Sequence, residues 1–368
     1  MNRPTPDLSQ EGSLRSSASS QFPSWEGLGV GSWSQLRLSM NLKTLALILK
    51  GLRVSGSWSQ CMRKKTERGL SMNRRTFLRT ATVATTALAG LSLERALGAE
   101  NAAGTTNWPV GCFNRAWTKW SYDDALDGIK AAGYKLTGLL SGQSGEAFAS
   151  SAATPEYLDS LKKRIAQRGL ALNMTAIRFK PDAPLADNIA DLRKQIENSA
   201  RLELKYMLTF GVDQPAHYEN FYRLMADAAA QAEKRGIQIV LKPHGGGSGA
   251  SEEILRCLEK VAHANFKIWY DAGNIIYYTG KDPLAELEPI AKHVTGFCAK
   301  DCPGPKGEVM SQFGTGKVDF KAVFAKLKSV GFNGPIMVEG IKVGATADET
   351  TANARANREF LEKVLASI

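Results

Sequence analysis

From residue 108 onward the 368-residue sequence predicts an α/β fold, a single-domain (β/α)8 TIM barrel, and three observations carry that prediction. The first is a recurring phrase of amphipathic helix, glycine and apolar strand, in "IKAAGYKLTGLL", "IAQRGLALNMTA", "AEKRGIQIVLKP" and "LKSVGFNGPIMVEG". Each phrase puts a glycine (Gly133, Gly169, Gly236, Gly331) where a left-handed helix C-cap is wanted. The second is the spacing of those glycines: 36, 67 and 95 residues are one, two and three periods of a βα repeat. The third is a set of eight apolar segments, centred near Val110, Leu136, Leu172, Met207, Val240, Ile268, Phe297 and Met337. Eight parallel strands with as many helices in a chain of this length make a closed barrel and not an open sheet. The G-x-G-x-x-G turn that a dinucleotide-binding sheet places after its first strand is missing, so no nucleotide cofactor is expected.

Residues 1–71 read as a disordered leader or an over-extended gene start. "GSWSQLRLSMN" at Gly31 returns as "GSWSQ" at Gly56 and "LSMN" at Leu70, without apolar periodicity. Residues 72–99, "MNRRTFLRTATVATTALAGLSLERALGA", set Arg74 and Arg75 ahead of Phe77 and Leu78, a Thr/Ala-rich stretch, and small residues up to Ala99. This segment resembles a twin-arginine export signal. It is too short to span a bilayer, which implies a periplasmic or other extracytoplasmic protein without a stable membrane anchor. Charge divides at the same point. The first 99 residues hold 14 Lys and Arg against 5 Asp and Glu, leaving 33 against 31 for the rest, so +9 of the net +11 belongs to those 99 residues. A nearly neutral body with no basic stripe argues against a nucleic-acid partner. Five cysteines without a CxxC pair argue against a disulfide framework or a structural zinc.

The barrel itself is expected over 104–368. Strand one, "GCFNRAW", ends on Asn114 and Arg115, and Ser121 with Asp124 opens the following helix as a capping-box variant. Thr154 and Pro155 supply an N-cap and first-turn proline for a helix carrying Leu158, Leu161 and Ile165. Further on, Phe221, Leu224, Met225, Ala228, Ala229 and Ala232 share one face of a longer helix. Strand five, "IQIVLKPHGGG", presents Lys242 and His244, and strand six, "FKIWYDAGN", presents Asp271 and Asn274. Strand seven, "VTGFCAKDC", brings Cys298, Lys300 and Asp301, and strand eight, "GPIMVEG", brings Glu339. Barrel chemistry sits at the C-terminal strand ends, and five of these ends carry ionisable or strongly polar groups. Plainer roles exist for several. Asp271 and Asp301 could cap turns, His244 could be a loop residue, and Cys298 could be a small buried hydrophobe. A lysine on a strand between Leu241 and Pro243 has no such plain role, because it must find a carboxylate or lose its charge.

Through "LKPHGG", "YDAGN", "CAKDC", "GTGKVDF" and "MVEG", the region from Trp108 to Ile368 resembles the xylose isomerase-like sugar phosphate isomerase/epimerase superfamily. The resemblance implies a divalent metal held by Glu, Asp, His and Glu from strands five to eight, and proton transfer next to a sugar carbonyl. Asp271 and Glu339 match that pattern. Lys242 stands in place of the strand-five glutamate, and Cys298 in place of the strand-seven histidine. Two expectations follow. Either a divalent metal (Mn, Mg or Zn) is held by Asp271, Glu339 and His244, or Lys242 with Lys300 supplies fixed positive charge in its stead. Lys242, Glu339 and Asp271 are the expected catalytic residues. His244, Lys300, Asp301, Arg115 and Asn274 are expected to bind a small-molecule carbohydrate. The function implied is an exported enzyme that isomerises, epimerises or β-eliminates a sugar derivative. The alternative is a carbohydrate-binding barrel that has lost catalysis. A repair nuclease on the same fold would need a histidine-rich trinuclear zinc site, and the chain has four histidines. Barrels of this kind often pair, so a homodimer is a further expectation.

Overall fold

The computed structural model describes residues 106–368; the expected leader (1–71) and export segment (72–99) lie outside the described residues. The eight strands are β1 (Val110–Phe113), β2 (Leu136–Leu139), β3 (Ala171–Ala176), β4 (Tyr206–Thr209), β5 (Gln238–Leu241), β6 (Phe266–Tyr270), β7 (Val294–Ala299) and β8 (Ile336–Val338). Each pairs in parallel with the next, and β8 closes on β1 with Cys112 opposite Val338. All eight expected strand centres fall inside these elements.

The helices outside the barrel are α1 (Tyr122–Ala131), α2 (Pro155–Gln167), α3 (Leu185–Arg201), α4 (Tyr218–Glu233), α5 (Ser251–Val261), α6 (Ala272–Thr279), α7 (Pro283–Leu287), α8 (Phe320–Ser329) and α9 (Ala347–Leu365). Their ends follow the local chemistry. Ser121 and Asp124 cap α1 reciprocally, and the Thr154 hydroxyl accepts from the Tyr157 amide at the start of α2. The four repeat glycines have φ between +68° and +94°, the left-handed region that the C-cap role requires. The whole apolar face read on α4 is buried. Among the described residues no helix is long and apolar enough to cross a membrane.

Two apolar layers result. The larger lies between strands and helices; the smaller fills the barrel and includes Phe113, Leu140, Met174, Leu208, Val240, Trp269, Cys298 and Met337. Side chains alternate along a strand, so the residue two positions beyond each inward one also faces the barrel axis, one layer higher. That rule builds the site.

Candidate functional site

Val240 leads to Lys242, Trp269 to Asp271, Cys298 to Lys300 and Met337 to Glu339. Four adjacent strands thus raise two lysines and two carboxylates above the apolar plug, and all four residues are buried. Lys242 Nζ lies between the carboxylates, hydrogen-bonded to Glu339 Oε2 and 3.1 Å from Asp271 Oδ2. Lys300 Nζ is 2.8 Å from Glu339 Oε1 and 3.4 Å from Asp271 Oδ2, and donates to Asn274 Oδ1 at 2.9 Å. Arg115, in the 3-10 turn after β1, closes the ring with a hydrogen bond to Glu339 Oε1. Asn274 is fixed in turn, its Nδ2 donating to the Pro243 carbonyl at 2.6 Å.

The two carboxylates are not equivalent. Both oxygens of Glu339 are engaged by cations. Asp271 Oδ1 caps α6 by accepting from the Asn274 amide at 2.8 Å, while Oδ2 is buried, close to two ammonium groups and hydrogen-bonded to neither. Asp271 is therefore a turn cap and a site residue at once. Its Oδ2 is held by ion pairs alone and accepts no hydrogen bond.

The electrostatics separate the two lysines. Burial works against the charge on Lys242, but Glu339 and Asp271 outweigh it and hold the ammonium above its ordinary pKa. Burial prevails at Lys300 and lowers its pKa, with Lys242 and Arg115 acting in the same direction and the two carboxylates against. Glu339 also loses solvation, yet Lys242, Lys300 and Arg115 drive its carboxyl well below the usual range. Neighbouring groups whose pKa values are pushed apart are the raw material of acid–base chemistry.

The ligand set expected of Asp271, Glu339 and His244 does not assemble, and among the described residues no three His, Cys, Asp or Glu side chains cluster as a metal site would require. The physical reason is local: the space between the two carboxylates is filled by ammonium groups, which have no lone pair to donate and repel a cation. A divalent metal does not fit this donor set. The His244 ring is instead 2.9 Å from the Tyr278 hydroxyl and 5.0 Å from the Phe210 ring. Burial, then Lys242 and Lys300, lower its pKa to about 4, so it is neutral at pH 7.

Cys298 and Asp301 take places that their positions on and after the strand explain. Cys298 packs in the apolar plug, and burial raises its thiol well above the ordinary value. Asp301, one residue past Lys300, faces the opposite side, where its carboxylate accepts from the amides of Cys302, Gly314, Gly316 and Val318 at 2.8–3.2 Å. It anchors the "GTGKV" loop rather than facing the lysines. The described cysteines are all free. Two neighbours were missed from sequence: Phe210, whose ring lies 5.5 Å from Lys242 Nζ, and Tyr278. The parity rule would have found Phe210, two residues beyond inward-facing Leu208. Tyr278 falls one helical turn after Asn274.

A family model described as a xylose isomerase-like TIM barrel matches residues 126–364. An inosose dehydratase of Clostridium beijerinckii is 26% identical over 166 residues, which is 39% of this chain and 55% of that protein. The chain thus spans little more than half the length of this curated relative. Solved structures share the fold. A xylose isomerase-like TIM barrel protein from Mycobacterium smegmatis, in complex with magnesium, superposes with a TM-score of 0.59 at 15% identity, over 71% of this chain and 97% of that one. D-psicose 3-epimerase from Clostridium cellulolyticum H10, with D-tagatose, gives 0.57 at 14% identity over 70% and 99%.

Proposed function

The chain belongs to the xylose isomerase-like TIM-barrel family, and on that premise we propose that it is an enzyme that removes a proton next to the carbonyl of a sugar or sugar derivative. The outcome is isomerisation, epimerisation, or β-elimination from a keto-glycoside. One observation carries the assignment: Asp271 Oδ2, buried and ion-paired to two ammonium groups without accepting a hydrogen bond from either. The similar proteins include a dehydratase and a 3-epimerase, reaction types that proton removal beside a carbonyl would serve.

In this mechanism Asp271 Oδ2 takes the proton, and the C–H electron pair moves into an enol whose oxygen becomes negative. Lys242 donates a hydrogen bond to that oxygen. Its position between Asp271 and Glu339 is fixed before substrate arrives, so no reorganisation is needed when charge develops, and one such donor is worth about 10²–10³ in kcat. Glu339 clamps Lys242, Lys300 and Arg115 and is thereby a weak base. Lys300, the lysine whose charge is less favoured, returns a proton to carbon or to a departing oxygen. The cationic work that a metal does in other enzymes falls here to the two lysines. Export through the Arg74–Arg75 segment is part of the same proposal.

Deuterium wash-in tests it. Purified protein is incubated in deuterated buffer with D-psicose, D-fructose and a 3-keto-glucoside, and the C–H next to the carbonyl is followed by NMR. Exchange by wild type that Asp271→Asn abolishes is expected. Saccharide binding with no exchange for any of the three would instead identify a carbohydrate-binding barrel.

A further inference from the structure

The glycine run after His244 is not used by the chemistry above, and its geometry shows what it builds. Gly245 and Gly246 have φ of +85° and +48°, and Gly211, in the loop after β4, has +79°. A Cβ on Gly246 would lie 2.8 Å from the Val212 carbonyl, and one on Gly211 would lie 2.9 Å from Ser248 Oγ. Without side chains the two loops lie backbone to backbone. Gly247 donates its amide to the Val212 carbonyl at 3.0 Å, and the Ser248 hydroxyl donates to the Phe210 carbonyl at 2.9 Å. The amides of Gly247, Ser248 and Gly249 are all spent within the protein, so this glycine loop is not a phosphate cradle.

What the clasp frames is a hollow of ≈ 270 Å³ lined by Phe210, Val212, Asp213, Gln214, His217 and His244. At ~30 Å³ per water this is room for about nine waters, the scale of one sugar ring. The lining combines one aromatic ring with amide, carboxylate and imidazole groups, the mixture that gives an amphipathic ring an apolar surface and several hydroxyl partners. His217 is held by Asp182 at 3.0 Å, and His244 by Tyr278. The hollow borders the ion cluster at Phe210, a wall residue whose ring lies 5.0 Å from that of His244 and 5.5 Å from Lys242 Nζ.

We propose that this hollow is a second sugar subsite, taking the unit glycosidically joined to the sugar that reacts beside Asp271. Phe210 stacks on the apolar face of that unit, and His244, Asp213 and Gln214 bind its hydroxyls. The substrate is then a keto-disaccharide or a related glycoside rather than a free monosaccharide. This rests on the function proposed above.

The experiment compares 3-ketoglucose with the 3-keto derivatives of maltose, cellobiose and trehalose in the deuterium-exchange assay, using wild type and Gln214→Trp. Tryptophan at position 214 fills the hollow from its outer wall without touching the lysines or carboxylates. Expected is a kcat/KM at least about tenfold higher for one or more of the disaccharides than for 3-ketoglucose, an advantage of one decade in affinity terms. Gln214→Trp should erase that advantage and leave exchange of 3-ketoglucose in place. Equal rates for mono- and disaccharides, or an advantage that survives Gln214→Trp, would overturn the subsite and leave the proposed function standing. Exchange with none of the four compounds would overturn the subsite, and would overturn the proposed function as well only if D-psicose and D-fructose also fail to exchange.

Discussion

Lys242→Met isolates the residue on which the reading turns. Methionine keeps the length and apolar stem of lysine and removes the charge between Asp271 and Glu339. Removing one partner of a buried ion pair commonly costs ~3–5 kcal/mol, because the charge left behind is neither solvated nor paired. Here the lower end applies: Lys300 remains 2.8 Å from Glu339 and 3.4 Å from Asp271, and Arg115 still reaches Glu339. A loss of ~3 kcal/mol in a barrel of this size lowers Tm by roughly 6–12 °C, which leaves it folded at 25 °C. The lost enolate donor should lower the exchange rate by roughly 10²–10³. Urea unfolding and deuterium wash-in on the same sample measure the two effects, and added Mn²⁺ should rescue neither. Asp271→Asn in the same chain should recover most of the lost stability, since it removes the carboxylate left poorly paired. A stability loss with full exchange activity would make Lys242 a structural counter-ion. Tight stoichiometric Mn²⁺ binding, undiminished in Lys242→Met, would refute the argument that ammonium groups exclude the metal.

Three further outcomes are expected. In the double variant Lys242→Glu, Lys300→His, two repelling charges give way to two ligands at the level of Asp271 and Glu339, so calorimetry should find Mn²⁺ binding that wild type lacks. His244 binds its proton less readily in the folded state, with a pKa of about 4 against 6.5. The unfolded chain therefore holds more protons between those values, and stability must fall as pH drops through that window. Urea titrations at pH 7 and 5 should show this slope, reduced in His244→Asn. Replacing Arg74 and Arg75 with lysine should leave an untrimmed precursor in the cytoplasm, and fractionation showing normal processing would remove the export proposal.

The barrel was legible because its signals are local and repeated: glycine C-caps, strand apolarity and helix N-caps each act within a few residues. The site was half legible. Lys242 stood out because a strand lysine between apolar neighbours needs a carboxylate, and the structure supplies two. Inward and outward positions on a strand differ by one residue, and the sequence marks strand ends less sharply than that. This is how Asp301, next to Lys300, looked like a ligand-binding group while its carboxylate holds a loop. Cys298, two residues below Lys300 and so on the same side of the strand, packs in the plug as a small buried hydrophobe would. His244 depended on loop geometry that no strand pattern encodes. Its ring follows Tyr278 and Phe210, which come from other parts of the chain.

The charge balance of the cluster bears on catalysis rather than on binding. With Lys242, Lys300 and Arg115 protonated, three positive charges face the two negative charges of Asp271 and Glu339. The excess is partly out of reach of water, since the lysines and carboxylates are buried. A neutral sugar does nothing to compensate it, so the ground-state complex gains little from the surplus charge. The enolate formed when Asp271 takes the proton places one negative charge on oxygen beside Lys242. Asp271 becomes neutral in the same step, so the total charge does not change; negative charge moves from an oxygen that no ammonium hydrogen-bonds to one that Lys242 can bond directly. The interaction strengthens along the reaction coordinate and not before it. Only an interaction that differs between substrate and transition state raises kcat, and a fixed ammonium beside a carboxylate oxygen that accepts no hydrogen bond is such an interaction.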